Sequence, residues 1–441
     1  MTARVPRRGA QRSARGGEGR DLLGLPQAFW VIWLGVLVLW TGRFVVPFLS
    51  TYLVSGPGLS VQQATMAVSM YGAGGVVATL VGGMLSDRIG RLPVLMASFV
   101  GSAALLLAIP SATTLSALVP VLLAYGFAGQ LGGPALSAMV ADRVAPDARQ
   151  RAFVMQVWAM NLGFALGPVI AVRLERISFT LIFVVEAAVC VVVAVFLGAT
   201  LRERGRFGNA PWAVPATTEA TPRLRALAGF AGAVTDRAFV TLVALMLVFT
   251  VAYLQSTSTL PLVMTSQGLS LDSYAALLTL NGVLLCALQV PAMRVIERVP
   301  PSVALAVGVG VTALGFVVQV FADSPRTYAI AVITWTIGEL ATFPVASAMV
   351  AALAPARLRG TYQGVYGIVW SGAHALAPML GGFVLAHAGA RVMWSGFATA
   401  VAAVAVGLLL TARSRQAVVE RRAVDEAALG GKAPPAAIGA L

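Results

Sequence analysis

Charge is almost absent from twelve long stretches of this 441-residue chain, and that feature decides most of what it can become. They lie at 28–54, 62–82, 92–112, 114–141, 152–172, 178–200, 238–260, 273–293, 302–322, 328–352, 361–386 and 391–412. A helix needs about 20 apolar residues to cross the hydrocarbon layer of a bilayer, and each stretch is long enough. Barrel strands would be about 10 residues long and alternate in polarity, which these stretches do not. Charged residues make up 11% of the chain, against about 25% in soluble domains. The expectation is an all-α, polytopic membrane protein with twelve transmembrane helices, its first partner being the lipid bilayer.

The net charge of +14 would suit nucleic acid, but its placement argues otherwise. With both termini in the cytoplasm, 26 of the 31 Lys and Arg fall in tails and cytoplasmic loops. Four (Arg173, Arg176, Arg326, Arg391) fall outside and one, Arg43, lies within a span. That is the positive-inside pattern, so the charge sets topology and no nucleic-acid partner is expected. The first 27 residues hold six Arg, yet the apolar run behind them is too long for a signal peptide and ends in no small-residue cleavage site. Residues 1–27 therefore read as a disordered basic tail before a retained span. Cys190 and Cys286 both sit inside spans, so no disulfide framework is implied.

The longest polar interval, 201–237, is rich in Pro, Ala, Thr and Arg and reads as a cytoplasmic linker between a six-helix bundle at 28–200 and another at 238–412. Residues 413–441 read as a second disordered cytoplasmic tail. Shifting the first half by 210 positions exposes a repeat. PALSAMVA (134–141) falls on PVASAMVA (344–351), Asp87-Arg88 on Glu297-Arg298, Arg149 on Arg359, and ALGP (165–168) on ALAP (375–378). Parallel six-helix halves related by an axis along the membrane normal are a transporter architecture, with the site between them near the midplane.

Between spans 2 and 3 lies GGMLSDRIGR, in which Gly83, Leu85, Asp87, Arg88, Gly90 and Arg91 match the loop signature G-x-L-a-D-r-x-G-r. The chain thereby resembles the major facilitator superfamily over nearly its whole length. Physically the motif reads as a latch. Gly83 lets helix 2 approach the other half, Gly90 permits the turn, and Asp87 suits a helix N-terminus. Arg88 and Arg91 are suited to clamping carboxylates or phosphates. The resemblance implies that Asp87 docks near the start of helix 11, around Gly360 to Tyr362. The copy at 292–301 keeps Glu297 and Arg298 without the glycines, and is expected to be a weaker latch or a topological anchor.

Span 5 carries GFALGPVIAV, where Gly163, Gly167 and Pro168 match part of the superfamily's antiporter motif G-x-x-x-G-P-x-x-G-G, while Ala171 and Val172 depart from it. The Arg that antiporters carry in helix 4 is missing, with Tyr125 at the nearest position. Ionisable groups inside spans are functional candidates, and there are four: Arg43, Glu186, Glu339 and His374. Glu339 is expected to couple protons, with Arg43 as electrostatic partner. The alternatives are that Glu339 holds helix 10 by a hydrogen bond and that Arg43 snorkels to the surface. Glu186 is either a coupling group or a structural one, paired toward Arg173 or Arg176 or simply near a helix end. Tyr366, Trp370 and His374 share one helix face, as packing or as a cavity wall. Tyr125, Asn161 and Trp335 complete the substrate-cavity candidates.

The expected function is proton-coupled efflux of drug-like or amphipathic molecules across a bacterial inner membrane, by a monomer. Proton-coupled uptake of a sugar or other metabolite is the alternative. A receptor without transport is disfavoured because no signalling domain is visible. No P-loop, catalytic triad or metal-ligand cluster appears, so no enzyme activity, cofactor or metal is expected.

Overall fold

The structure is a computed structural model describing residues 24–145, 148–203, 230–355 and 358–429. The residues before 24, most of the linker (204–229) and the chain after 429 lie outside the described residues. Every regular element among the described residues is helical. α1 comes in two pieces, Gln27–Thr41 and Val45–Ser55, followed by α2 (Val61–Ile89), α3 (Arg91–Ala108), α4 (Leu115–Arg143), α5 (Arg149–Glu175) and α6 (Phe179–Glu203). α7 comes in three pieces, Arg237–Tyr253, Gln255–Ser258 and Leu260–Ser266. α8 (Leu271–Ile296), α9 (Pro301–Val320) and α10 (Pro325–Leu353) follow. The last apolar run, Arg359–Leu410, has 52 residues, about 78 Å of helix and far more than a bilayer needs. Gly389, at φ 80° and ψ 171°, divides it into α11 (359–388) and α12 (390–410). Twelve spans result, where the apolar stretches place them.

One expectation is corrected. The start of the supposed tail 413–441 is helical, as α13 (Ala412–Leu429). Arg415, only 1% exposed, holds it down. Its Nη2 donates to Leu408 O at 2.6 Å, and Val418 and Val419 pack on the core. Burial pushes this guanidinium below the usual arginine value.

The break in α1 has a local cause. Pro47 is the third residue of the second piece, and its ring excludes a helical carbonyl four residues earlier, at Arg43. In α7, Pro261 is the second residue of the last piece; it offers no N–H to Thr257 O and disfavours helical geometry just before it, which accounts for the break at Thr259. The break at Leu254 has no proline. There the Gln255 side chain does the backbone's work, its Nε2 donating to Val251 O at 3.0 Å and to Ala377 O of α11 at 2.9 Å.

The 210-residue shift reappears in three dimensions. Gly58 and Gly268 both have positive φ, 72° and 79°. Each precedes by two residues a serine, Ser60 or Ser270, that caps the next helix. The seams between the halves repeat as well. A Cβ on Gly72 of α2 would lie 2.1 Å from Ala375 N of α11, and one on Gly282 of α8 would lie 2.7 Å from the Ala165 Cβ of α5. These are the same pair of positions in opposite roles, which is what twofold pseudosymmetry produces.

The halves are sealed at the end of the bundle far from the termini. Ser50 Oγ donates to Ser258 O at 2.8 Å, and Tyr274 OH donates to Ser256 O at 3.0 Å while its ring packs on Phe48. Arg176 and Asp272 pair at 2.7 Å. At the termini end, by contrast, Gly83 of α2 and Gly360 and Gly364 of α11 face open space.

Candidate functional site

Two polar clusters lie at the level of the broken helices, one in each half. In the first, Glu186 of α6 is 3% exposed. Its Oε2 accepts from the backbone N–H groups of Phe44 at 3.0 Å and Val45 at 2.7 Å, the first donors of the second piece of α1. Its Oε1 accepts from Tyr125 OH at 2.9 Å. A helix N-terminus carries unpaired N–H groups and favours an anion, so this carboxylate caps a helix that begins inside the membrane. Beside it, Arg43 Nη2 donates to Tyr71 OH at 2.9 Å and its guanidinium lies 5.5 Å from the Trp40 ring. The Tyr71 and Tyr125 rings pack at 5.1 Å.

In the second cluster Glu339 of α10 is 8% exposed. Its Oε1 accepts from Tyr253 OH at 2.8 Å and its Oε2 from Asn281 Nδ2 at 2.9 Å. The same amide nitrogen donates to Thr336 Oγ1 at 2.9 Å. Tyr253 is walled by Trp335, Phe343 and Trp370 at ring distances of 5.5, 5.1 and 6.2 Å. The indole Nε1 of Trp335 is buried and unpartnered. His374, whose Nδ1–H donates to Trp370 O at 2.8 Å, stands between the clusters, 6.5 Å from the Trp370 ring and 6.2 Å from Tyr71.

Several sequence expectations change here. The anticipated Arg43–Glu339 pair is absent from the described ion pairs. Arg43 turns to Tyr71 within its own half, because the break at residues 42–44 aims it away from α10. Glu186 is structural in position but does not pair toward Arg173 or Arg176; it points inward to the helix break, and Arg176 takes Asp272. Tyr125 belongs to the Glu186 network. Arg43 also reaches toward α4, its Nη2 lying 3.5 Å from where a Cβ on Gly129 would be. Trp335 and Trp370 are gathered at the second cluster, and His374 stands between it and the first. Tyr366 is buried without a ring contact to them, and Asn161 is half-buried on α5 with no hydrogen bond to either cluster.

The loop motif is met in part. Gly90 has φ 94° and turns the chain into α3. Leu85 packs on Ala78, Val94, Leu131 and Ala135. Arg91 pairs with Asp142 and donates to Ala138 O at 2.7 Å. Arg88 is exposed, and the side chain of Asp87 lies outside what is described. The close approach expected at Gly83 is not met, since the α2–α11 contact is made nearer the middle, at Gly72. Tyr362, near the expected docking place, donates its hydroxyl to Asp236 Oδ2 at 3.1 Å. The helix 5 glycines do meet a neighbour: Cβ atoms on Gly163 and Gly167 would lie 2.7 Å from Thr41 N and 3.0 Å from Thr41 O, just before the break in α1.

Tyr71, Tyr253, Gln255 and Phe343 escaped the sequence reading, although the 210-residue shift held a signal for two of them. It puts Arg43 on Tyr253 and Tyr71 on Asn281.

Comparison with known proteins agrees with this architecture. The Major Facilitator Superfamily profile matches residues 32–278 and 241–439. The uncharacterized MFS-type transporter YqjV of Bacillus subtilis is 25% identical over 81% of this chain and 86% of its own length. A Na(+), Li(+), K(+)/H(+) antiporter of Planococcus maritimus is 30% identical over 36% of this chain and 37% of its own. Among solved structures, a mutant peptide transporter POT in complex with alafosfalin superposes with a TM-score of 0.75, at 19% identity, over 90% of this chain and 97% of its own. A D-xylose-proton symporter gives 0.66, at 14% identity, over 86% and 96%. With its twelve spans, duplicated halves and loop motif, the chain belongs to the Major Facilitator Superfamily and is a multi-pass membrane transporter, not an enzyme.

Proposed function

We propose that this transporter exports amphipathic, drug-like molecules from the bacterial cytoplasm in exchange for protons, with both termini cytoplasmic. The observation that carries the reading is Glu339. Its carboxylate is buried at midspan, its hydrogen bonds come only from the neutral groups Tyr253 and Asn281, and no described ion pair includes it. A bare charge in such a place is costly, so a proton or a cationic cargo must neutralise it at some stage of the cycle. Trp335, Phe343 and Trp370 supply flat apolar walls around it, which suit aromatic and amphipathic bodies. The partial helix 5 motif and the Planococcus relative, whose name gives proton antiport, favour exchange over symport. Uptake of a sugar is the weaker reading. A polyol needs several free hydrogen-bonding groups, and here Asn281, Thr336 and Tyr253 are engaged with one another or with Glu339.

Inverted membrane vesicles with an imposed pH gradient test this. Lipophilic dyes should accumulate, and a protonophore should dissipate the accumulation. Glu339→Gln should abolish the gradient-driven component and keep substrate binding and energy-independent exchange. Accumulation only in right-side-out vesicles, or full accumulation by the variant, would sink the proposal.

A further inference from the structure

Glu186 has no place in the exchange just described. It lies on α6, it faces the first half only, and no aromatic wall of the second cluster touches it. Yet its position is demanding. One carboxylate oxygen takes both N–H groups that the broken α1 leaves without helical partners, and the other takes Tyr125. The second piece of α1, which Glu186 caps, runs on to Ser50 and Pro47, the residues that meet α7 and Tyr274 in the far-end seal. The corresponding place in the second half is built differently. There the break in α7 is bridged by Gln255, whose amide donates to Val251 O and Ala377 O and whose Oε1 accepts from Thr259 Oγ1 at 2.9 Å. An amide does not titrate in water's pH range, and a carboxylate does.

We infer that Glu186 is a proton-sensitive positioning residue that sets the bend of α1 and, through it, the far-end seal, while the α7 bend is insensitive to protons. As an anion, Glu186 makes charge-assisted bonds to Phe44 and Val45, which are roughly twice as strong as neutral ones. A proton added at Oε1 turns that oxygen into a donor, reverses the bond with Tyr125, and leaves Oε2 an uncharged acceptor for the two N–H groups. The cap weakens and the second piece of α1 is freed to pivot at residues 42–44. The titratable and charged groups facing this carboxylate are Arg43 of α1, Tyr125 of α4, Tyr71 of α2 beyond them, and Cys190 one turn along α6. His374 of α11 stands on the far side of Arg43. Among these Arg43 is the one fixed cation, and it lies outside ion-pairing range of Glu186 while bonded to Tyr71.

The inference rests on the proton-coupled reading above, and it deepens that reading by adding a second proton-responsive element separate from Glu339. The test reads the hinge without any cargo. Hydrogen–deuterium exchange is followed in the full-length protein in lipid nanodiscs, on the peptide covering residues 42–48, at pH 8.5 and 5.5 and corrected for intrinsic exchange. Protection in the native protein should fall about tenfold at the lower pH, as the charge-assisted bonds become neutral ones. Glu186→Gln should show the low protection at both pH values, and Glu339→Gln should keep the native response. The peptide covering residues 252–259 should not respond in any of the three. An unchanged hinge in the native protein, or a pH response that survives Glu186→Gln, would overturn the inference. Should that variant not insert, Tyr125→Phe takes its place: it keeps the carboxylate but removes its partner, and must shift the pH midpoint of the hinge response; an unshifted midpoint overturns the inference equally. Vesicles that show no proton-driven transport beside an intact hinge response would sink the exchange mechanism, not this assignment.

Discussion

The two halves place unlike chemistry on one skeleton. Under the 210-residue shift Arg43, Tyr71, Tyr125 and Gly129 fall on Tyr253, Asn281, Trp335 and Glu339. In the first half a cation is held by a tyrosine, and the nearby acid comes from α6 and caps a helix break. In the second half the acid comes from α10 and is met by neutral donors, one of which, Tyr253, packs among aromatic rings. Duplication supplied two equivalent broken helices and two equivalent seams. Divergence then left one half with an acid that caps a helix break and the other with a buried acid met only by neutral donors.

The seams give the largest expected effect. At Gly72 an added Cβ would lie 2.1 Å from Ala375 N and 2.2 Å from His374 C, whereas at Gly282 it would lie 2.7 Å from the Ala165 Cβ and 2.8 Å from its Cα. Neither obstacle can swing away, since the Ala165 Cβ is fixed to its own backbone, so the depth of the overlap sets the order. Gly72→Leu should therefore destabilise by about 3 kcal/mol or more, and Gly282→Ala by about 1 kcal/mol, on the scale of overpacking in tight cores. Thermal unfolding in detergent checks the order. Equal losses at the two sites would mean that the seams are less alike in register than in sequence.

A smaller effect is expected where the halves differ most, at Gly129. A Cβ there would sit 3.5 Å from Arg43 Nη2, 3.8 Å from Ser102 Oγ and 3.9 Å from Tyr71 OH, all ordinary contacts. Gly129→Glu gives the first half the acid of the second and sets it beside Arg43. The new carboxylate should capture the guanidinium and cut transport by about tenfold or more, since a buried ion contact is worth a few kcal/mol once made. Gly129→Ala should transport normally. If Gly129→Glu is as active as the native protein, Arg43 has no motion that matters to the cycle.

How much of this was legible beforehand follows physical lines. Span positions depend on composition alone, so all twelve could be read, and the Gly389 break agrees with the gap between 386 and 391. Pro47 stands openly in the sequence as a helix breaker, but its consequence, two unpaired N–H groups for Glu186, needs α6 folded against α1. Glu339 could be singled out because a lone acid at midspan is rare. Its partners could not, because membership of a span does not say which way a side chain faces; the sequence sets Arg43 against Glu339, and the structure gives it the hydroxyl of Tyr71. α13 looks like a tail in the sequence because its Arg and Glu residues hide a narrow apolar stripe, Val418 and Val419, and because a buried Arg415 is exceptional. Gln255 carried no warning at all: an amide beside serines and threonines looks like any polar stretch.

The hydroxyl groups that touch each cluster allow a finer comparison. Tyr253→Phe removes one of the two donors to Glu339, and Tyr71→Phe removes the acceptor of Arg43. Each deletes a single hydrogen bond to a charged group, worth about 1.5–3 kcal/mol. Tyr253→Phe should alter the pH dependence of gradient-driven transport, and Tyr71→Phe should lower its rate without moving that profile. Identical profiles for the two would merge the clusters into one functional unit.

The smallest effect belongs to the clasp that only one seam possesses. Arg176, between α5 and α6, pairs with Asp272 at the start of α8, whereas the shift puts Ala386 and Gln62 at the matching places of the α2–α11 seam. Both side chains of the pair are about half exposed, 54% and 44%. Exposed pairs contribute roughly 0.2–1 kcal/mol, so Arg176→Ala should shift the balance toward far-end opening by no more than about fivefold. The readout is thiol labelling at the far end, with Ser55→Cys as the probe in a background lacking Cys190 and Cys286. Labelling should rise in Arg176→Ala, rise further when Arg176→Asp faces Asp272, and return when Asp272→Arg is added. High salt should shrink every one of these differences, because screening reaches exposed charges first. An increase that the charge swap fails to reverse would show that Arg176 acts by packing, and that the two seams differ in shape rather than in charge.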